Sequence, residues 1–537
     1  MGNDLAVAPT KQANPSRDVP WASTGAKIHV GKDILELLSS SMYIDPMTIY
    51  REYIQNAADA LDELKNKGRL RNERPTIEIT IDPQVRTVRI RDNGTGIPAD
   101  QFISKLCNLG ASSKRGTSAR GFRGVGRLAG LGYCQELVFR SRAAGDKDVS
   151  EMRWDCKGLK ALLRSAVGDK DIAALIREVV SVRQVKSEGY PARFFEVELR
   201  AVVRHRNDKL LSASEVSKYL VQVAPVPFAP NFRFEERISA ALRNHVELGD
   251  VEIYVNGAEK PLYRPHRNKI ALGDDEGDRF AELELHTFDG VDGAPAAVAW
   301  ILHHGYTGAL PNDALIKGMR LRVGNVQIGE HTLLEELFPE PRFNAWSVGE
   351  IHIFDRRVIP NGRRDHFEQN VHFDNILNQL GPIARDIARR CRQSSIVRKW
   401  LRDFELQEAK ALAEAKFVAR RGISRAAREQ HMREAARALA AMKKIAAQRN
   451  LPDDAQAPFA SRIRSMELRI AKLSAKKELS VDPFARFTPP VRNAYKKIID
   501  LIYQCATNPK AAEGLVEKIL DQLDTAAELK TKPKTRR

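Results

Sequence analysis

A carboxylate and a carboxamide lie one helical turn apart in the segment EYIQNAADALD, where Glu52 and Asn56 are separated by four residues. This spacing puts both side chains on one face of a helix. A glutamate can act as a general base toward water, and an asparagine oxygen can bind Mg²⁺ beside a triphosphate. Taken alone, the pair carries little information, because most such pairs on helices are ordinary surface residues.

A second motif, RIRDNGTGIP, has an acidic residue at the end of a strand and two glycines after it. Asp92 can accept a hydrogen bond from an exocyclic amine, while Gly94 and Gly96 permit tight turns and the close approach of a ligand. The alternative is a simple Asp-Gly turn without a ligand. The segment on its own leaves both interpretations open.

A glycine-rich stretch, NLGASSKRGTSARGFRGVGRLAGLG, follows soon after, and in it Gly121, Gly124 and Gly126 precede a helix-like run. Backbone N–H groups at the N-terminus of a helix bind phosphate, and Lys114 adds a mobile cation. No GK[ST] closes the stretch, so it is not a Walker A motif, and it does not follow GxGxxG. These features favour a phosphate-binding loop of another type.

The elements that would position these motifs alternate between helix and strand from about residue 27 to 205. Apolar residues recur at helical spacing in TIYREYIQNAADALDELKNKG, and DILELLSSSMY also predicts a helix. TIEITI and RTVRIR alternate apolar and polar residues, as strands with one buried face do. Residues 137–142 and 193–199 also look like strands. The sequence therefore predicts an α+β sandwich, with helices on one face of a mixed sheet.

In order and spacing, the three motifs resemble those of the GHKL superfamily, which includes gyrase, heat-shock chaperones, histidine kinases and MutL. EYIQNAADA resembles its N-box, DNGTGI its first glycine box and GFRGVG its second. The resemblance implies a Bergerat-type α/β sandwich that binds ATP with Mg²⁺ and hydrolyses it. In that fold Glu52 would position or deprotonate the attacking water, Asn56 would bind Mg²⁺, and Asp92 would bind the adenine amino group. The remaining implied nucleotide contacts are Gly94, Gly96, Ile97, Asn108, Lys114, Gly121, Phe122, Arg123, Gly124, Val125 and Gly126.

One position departs from the family pattern and another stays open. Heat-shock chaperones carry a threonine beside the adenine on a later strand, whereas the candidate segment here, GYPARFFEVEL, has none. Either the alignment differs at this strand, or Asp92 and water hold the adenine alone. Asp59 lies on the same helix face as Glu52, and its role is left open.

Strands predominate from about 206 to 375, after the first domain. This order resembles heat-shock-protein-90-like (HtpG-like) ATPases, MORC proteins, MutL and type II topoisomerases, and it argues against a histidine kinase. The resemblance implies a ribosomal-protein-like α/β middle domain, transducer-like in role, whose Lys or Arg reaches the γ-phosphate. The candidates are Lys317 in ALIKGMRLRVGN and the pair Arg363 and Arg364 in FDRRVIPNGRRDHFE, although the chain has 87 Lys and Arg residues in all. The first domain by itself is therefore expected to bind ATP but to hydrolyse it slowly.

The last third of the chain is predicted to be helical, with a long basic segment over 376–450 and further helices over 451–529. We expect a flexible arm over 1–26 and a disordered basic tail over 530–537. The 376–450 segment carries 18 Lys and Arg against 7 Asp and Glu, and Ile396, Trp400 and Phe404 give it one apolar face. Such a segment suits the pairing of two chains, a protein client or nucleic acid.

Composition limits the range of functions. The 537 residues suffice for two to four domains, and the formal net charge is +18. Five scattered cysteines give neither a disulfide framework nor a zinc site, and we find no apolar run long enough for a membrane span and no signal-peptide pattern, so a cytoplasmic protein is expected.

Three functions stay open. They are an ATP-gated, homodimeric, chaperone-like clamp on protein clients, a nucleic-acid-handling ATPase of the MORC or MutL type, and a scaffold that binds ATP without turnover. Glu52 argues against the scaffold, because a binding-only site needs no base.

Overall fold

The computed structural model describes residues 45–68, 73–108, 126–164, 172–204, 207–246, 248, 251–270, 279–448, 453–475 and 482–531. The expected arm over 1–26, the predicted helix DILELLSSSMY and the end of the basic tail lie outside the described residues, as does most of the glycine-rich stretch. Within the described ranges, no helix is long and apolar enough to cross a membrane.

The first domain is built on a seven-stranded mixed sheet. Its strands are β1 (Thr76–Asp82), β2 (Thr87–Asp92), β3 (Glu136–Arg142), β4 (Val149–Asp155), β5 (Val180–Val185), β6 (Phe194–Arg200) and β7 (Glu252–Val255). They lie side by side in the order β5-β4-β3-β6-β2-β1-β7. The alternation predicted for β1 and β2 is confirmed, because Ile79 pairs with Ile90 across an antiparallel ladder and both are buried.

Helices pack on the apolar face of this sheet. They are α1 (Thr48–Asn66), α2 (Ala99–Cys107), α3 (Cys156–Arg164), α4 (Ile172–Val179) and α5 (Ala213–Val223). The apolar stripe of α1, which includes Tyr50, Ile54 and Leu61, lies in the same core as the isoleucines of β1. The opposite face carries cross-strand ion pairs, such as Arg140 with Glu196 at 2.6 Å. The predicted α+β sandwich is therefore present.

The first domain extends further along the chain than predicted. The strand in VEIYVNG was expected in the second domain, but β7 pairs in parallel with β1, and Ile253 and Val255 join the first core. Helix α5, which follows residue 205, is part of that core as well. A four-residue strand carries no sequence feature that tells which sheet it will join, so this boundary was not predictable from the pattern.

The second domain contains a five-stranded sheet. Its elements are α6 (Glu235–Leu242), β8 (Glu282–Asp289), β9 (Pro295–His303), β10 (Gly318–Val323), β11 (Val326–Ile328) and β12 (Val348–Ile353). The strand order is β11-β10-β12-β9-β8. Gly324 and Asn325 form a hairpin turn between the antiparallel β10 and β11, with positive φ angles of 55° and 64°.

The C-terminal region is helical, as predicted. Its helices are α7 (Val371–Val418), α8 (Arg425–Ala446), α9 (Asp453–Ala475), α10 (Pro489–Cys505) and α11 (Pro509–Thr531). Helix α7 starts in the core of the second domain, where Phe373 and Ile376 are buried, and ends in the helical region, where Phe404 stacks on Phe459.

The basic segment over 376–450 is two helices rather than one. Gly422, with a φ of +81°, turns the chain between them. The hydroxyl of Ser424 then caps α8 by accepting a hydrogen bond from the N–H of Ala427 at 3.0 Å.

Candidate active site

Helix α1 buries polar residues among its apolar ones. Arg51, Glu52 and Gln55 are each at most 7% exposed, and Asn56 is half-buried one turn after Glu52. A buried carboxylate is costly unless cations or hydrogen-bond donors surround it. The surroundings of Glu52 therefore decide what this residue can do.

Glu52 lies where three separate elements meet. The Nε of Arg364, from the second domain, is 3.3 Å from one carboxylate oxygen, and a guanidinium nitrogen of Arg51 is 3.9 Å from the same oxygen. The other oxygen faces Gly126, where an added Cβ would lie only 2.3 Å away. The N-box, the end of the second glycine box and the loop that carries Arg363 and Arg364, called the arginine loop below, are thus brought together at one carboxylate.

The loop between β12 and α7 delivers Arg364 to this place. Arg51 donates hydrogen bonds to the carbonyl oxygens of Arg363 at 2.8 Å and of Arg364 at 3.3 Å. The N–H of Arg364 donates to Asn361, and its carbonyl accepts from Gly329. Arg364 has a φ of +56°, a conformation that costs a non-glycine residue about 1–3 kcal/mol. The loop is thus held in this shape by contacts on both sides.

The other predicted cation lies apart from Glu52. The ammonium of Lys317 donates to Asn312 at 2.7 Å, within the second domain. Of the three candidates, the structure therefore brings the side chain of Arg364 and the backbone of Arg363 to α1, and it does not bring Lys317 there.

Asp92 lies at the end of β2 in a different environment. It is 4% exposed, and burial raises the pKa of its carboxyl to about 7, against the opposing effect of the Gly94 N–H that donates to it at 2.9 Å. Both neighbouring glycines are needed for close approach. A Cβ on Gly94 would lie 2.7 Å from Asp92, and one on Gly96, whose φ is +66°, would lie 2.2 Å from the carbonyl oxygen of Arg142.

A buried serine that the sequence did not single out supports the first glycine box. Ser141, on β3, is fully buried, and its hydroxyl accepts a hydrogen bond from the N–H of Ile97 at 2.6 Å. On β6, Phe195 pairs with Asp92, so the position beside that carboxylate holds an aromatic residue instead of a threonine. The string LVFRSR contains the serine, but only the pairing of β3 with β6 gives it a role.

The phosphate end is described in part. Asn108 ends α2, is exposed, and accepts a hydrogen bond from the Arg127 guanidinium through its carbonyl. After Gly126, the N–H of Gly130 donates to the Tyr53 hydroxyl at 3.0 Å, which ties this turn to α1. The other predicted contacts here lie outside the described residues. They are Lys114, Gly121, Phe122, Arg123, Gly124 and Val125.

The candidate site has the Glu52 carboxylate beside the Asn56 amide at its phosphate end, and the buried Asp92 carboxylate at its adenine end. Magnesium in phosphate-transfer sites is held mainly by the substrate phosphates and one or two protein oxygens. Asn56 fits that role as a single half-buried amide next to Glu52. The described residues contain no group of three or more His, Cys, Asp or Glu side chains that could hold a metal by themselves.

Comparisons with known proteins agree with this geometry. Residues 46–180 match the family model described as "Histidine kinase-, DNA gyrase B-, and HSP90-like ATPase". The chain is 30% identical over 164 residues to the chaperone protein HtpG of Methylibium petroleiphilum, which covers 27% of this chain and 25% of that protein. It is 31% identical over 139 residues to HtpG of Albidiferax ferrireducens, covering 22% and 21%. This chain thus spans about a quarter of the length of the curated relatives it matches.

Proposed function

We propose that the chain binds ATP with Mg²⁺ and hydrolyses it, on the premise that residues 46–180 match the GHKL-type ATPase family model and that the chain is similar to HtpG chaperones. The single observation that carries the proposal is the contact of Arg364 with Glu52 at 3.3 Å. It joins a general base on the nucleotide domain to a cation from the second domain. A site that only stored nucleotide would need neither group.

In the proposed reaction Glu52 accepts a proton from the attacking water, while Asn56 supplies an oxygen to Mg²⁺. Mg²⁺ would neutralise charge on the phosphates and orient them. Asp92 accepts a hydrogen bond from the adenine amino group, and the backbone between Gly94 and Ile97, held by Ser141, lines the base. Asn108, Lys114 and the backbone over 121–126 hold the phosphates.

Arg364 has two partners in this scheme. In the structure its guanidinium lies against Glu52. Negative charge grows on the transferred phosphoryl oxygens in the transition state, and a short movement of Arg364 would bring it to them. That movement would also free Glu52 to act on water. Hydrolysis would then require the second domain to be docked on the first.

At the level of the whole chain we propose an ATP-gated homodimeric clamp that acts on protein clients. The similarity to the HtpG chaperone of Methylibium petroleiphilum covers 27% of this chain. The proposed contact with a protein client therefore rests on the helical region. There, Ile396 and Trp400 are half-buried on α7 and Phe404 is buried against α9.

A second candidate is nucleic acid handling, because α7 exposes cations that have no carboxylate within ion-pair distance among the described residues. Arg385, Lys399 and Arg402 are exposed on α7 at positions that share much of one side of the helix. The test is a gel-shift experiment with DNA and the full chain. A shift that is lost steeply between roughly 50 and 200 mM salt, the range over which phosphate contacts weaken, would favour this candidate over a protein client.

The test of the ATPase proposal is Glu52→Gln in the full chain. We expect ATP affinity within a few-fold of the wild type and turnover lower by about 10²–10⁴-fold, the usual cost of losing a general base. Glu63→Gln is the matched control, because Glu63 is on the same helix but is exposed and bonded only to Lys67 in the described contacts. Equal steady-state ATPase rates for the two variants would remove Glu52 from its role.

A further inference from the structure

A cavity of about 400 Å³ lies between the N-terminal end of α1 and the second domain. Thr48, Arg51 and Tyr219 line it from the first domain, and Arg320 and His331 line it from the second. Asp92 does not line it, so the cavity is separate from the adenine end of the nucleotide site. Arg51, which lines this cavity, is the neighbour of Glu52 on α1.

Two buried arginines lie on the wall of this cavity, and neither is hydrogen-bonded to a carboxylate among the described residues. Arg51 is 7% exposed and Arg320 is 4% exposed. Arg320 donates to the side-chain oxygens of Gln327 at 2.9 Å and Gln222 at 3.1 Å, and otherwise to backbone carbonyls. These acceptors are neutral. The carboxylate that faces Arg320 from the next strand, Glu350, is also ion-paired with Arg264 and Arg322, so one negative charge is shared among three arginines.

Arg51 is in a similar position. Its terminal nitrogens donate to the carbonyls of the arginine loop, and its nearest carboxylate, Glu52, is 3.9 Å away and lies closer to Arg364. The Nε atoms of Arg51 and Arg320 are both buried, and neither has a hydrogen-bond partner among the described residues. Burying an unpaired donor of a charged group is unfavourable, and an acceptor on a ligand would remove that cost.

The acidic residues of the cavity lie at its rim. Asp45, Glu330 and Asp365 are exposed, in contrast to the two arginines. Asp45 already accepts a hydrogen bond from the N–H of Met47 at 3.1 Å, and Asp365 accepts one from Asn361 at 2.6 Å. The inner wall is therefore cationic, and a ligand with an anionic end would complete it.

We propose that this cavity binds a small phosphorylated molecule, with its phosphate against the guanidinium groups of Arg51 and Arg320. Planar guanidinium groups match the oxygens of a phosphate. The volume is within the range of roughly 300–1,000 Å³ that small-molecule sites occupy, so there is room for more than the phosphate. Tyr219 and Val223 offer a ring and an apolar side chain to the rest of the ligand.

A ligand here would act on the junction of the domains. Arg51 holds the carbonyls of the arginine loop, and Arg320 holds Gln222 at the end of α5. A phosphate shared by Arg51 and Arg320 would link α1, that loop and β10. This inference does not depend on ATP hydrolysis.

The test is calorimetric titration of the full chain with inorganic phosphate and with ribose 5-phosphate, each with and without saturating ADP. We expect binding that persists in ADP and that weakens at least tenfold in both Arg320→Gln and His331→Glu. His331 is half-buried, so its variant tests the site even if the loss of the buried Arg320 unfolds the protein. Arg342→Gln is the control, because Arg342 is 68% exposed and bonded to Glu340.

The two probes distinguish the source of the phosphate. Tighter binding of ribose 5-phosphate supports an organic phosphate ester, and equal binding supports free phosphate. The proposal is wrong if neither probe binds, if ADP abolishes the binding of both, or if folded His331→Glu binds them as the wild type does. None of these results bears on the Glu52→Gln experiment, so failure of one proposal is separable from failure of the other.

Discussion

The two carboxylates of the site have opposite electrostatic surroundings. Glu52 faces two guanidinium groups, whereas Asp92 is buried with a backbone N–H as its recorded donor, and burial raises its pKa to about 7. Groups in one site whose environments differ in this way commonly have different roles. The difference fits Glu52 as the residue that handles water and Asp92 as the residue that recognises the base.

Asp92→Asn is expected to weaken ATP binding by about tenfold or more, because an amide can present a donor where the adenine amine needs an acceptor. In the wild type the pKa of Asp92 is raised to about 7, so the acceptor is lost as the pH falls through 7. ATP affinity should therefore drop by about tenfold between pH 8 and pH 6.

Calorimetry at both pH values checks this, with Asp100→Asn as the control because Asp100 is exposed on α2. The Asp92→Asn variant should lose the part of the pH dependence that belongs to the carboxyl. The stability of the ligand-free protein should depend on pH in the opposite direction to its ATP affinity. A raised folded-state pKa means that the native state binds the proton more tightly, so stability should increase from about pH 7 down toward about pH 4. Wild-type affinity in Asp92→Asn would place the adenine elsewhere.

Sequence alone could identify the residues whose role is indicated by a local motif. Glu52, Asn56 and Asp92 belong to such motifs, and the structure places Glu52 and Asp92 in buried, polar surroundings. It could not identify Ser141 or Arg51. Ser141 acquires its role when β3 pairs with β6, and Arg51 when a loop more than 300 residues away along the chain docks on α1. These are contacts between distant segments, which no spacing rule encodes.

At the scale of elements, the strands were predictable and their partners were not. The alternation in β1 and β2 indicates strands wherever they pair. The placement of β7 beside β1, by contrast, depends on how the chain returns after α6, and it moves the domain boundary past residue 205. A fragment of residues 1–205 would lack both β7 and α5, so its domain would be incomplete. The contribution of the second domain to hydrolysis is therefore better tested by substitutions in the full chain.

Two glycines of almost equal φ, Gly96 in the loop after β2 and Gly68 after the end of α1, give a sharp test of the loop's close approach to β3. Gly96 has a φ of +66° and an added Cβ would lie 2.2 Å from the Arg142 carbonyl of β3, whereas Gly68 has a φ of +63° and nothing within 4 Å. Gly68→Ala should cost only about 1 kcal/mol, the penalty of the left-handed conformation. Gly96→Ala should cost clearly more, and it should also weaken ATP binding, because the loop must move away from β3.

Urea denaturation of both variants measures the difference directly. Equal losses of stability would show that the loop relaxes freely. In that case its close approach to β3 would not be what requires glycine at residue 96.

At the scale of the whole molecule, α7 connects the ATPase side of the protein to its helical end. Its first turns are buried with the second domain, and its last turns pack with α8 and α9. Movement of the second domain relative to the first would therefore be passed to the helical region through one continuous helix.

We expect the chain to be dimeric in light scattering with a non-hydrolysable ATP analogue. A monomer both with and without nucleotide would count against the clamp.

The final prediction concerns how the two domains share the reaction. Arg364→Ala should lower kcat by about 10³-fold or more, the effect of a cation at the transferred phosphoryl group, while ATP affinity changes by less than about threefold. Arg363→Ala should change kcat far less, because Arg363 meets α1 through its carbonyl oxygen and its side chain is exposed. The adjacent pair thus provides a matched control within one loop. Removing Arg364 also leaves Glu52 with Arg51 as its remaining cation, so the melting temperature of each variant must be compared with the wild type. A normal kcat in folded Arg364→Ala would rule out this residue. A large loss of kcat in Lys317→Ala would then assign the role to Lys317. Its ammonium is bonded to Asn312 within the second domain, so a larger domain movement would be required.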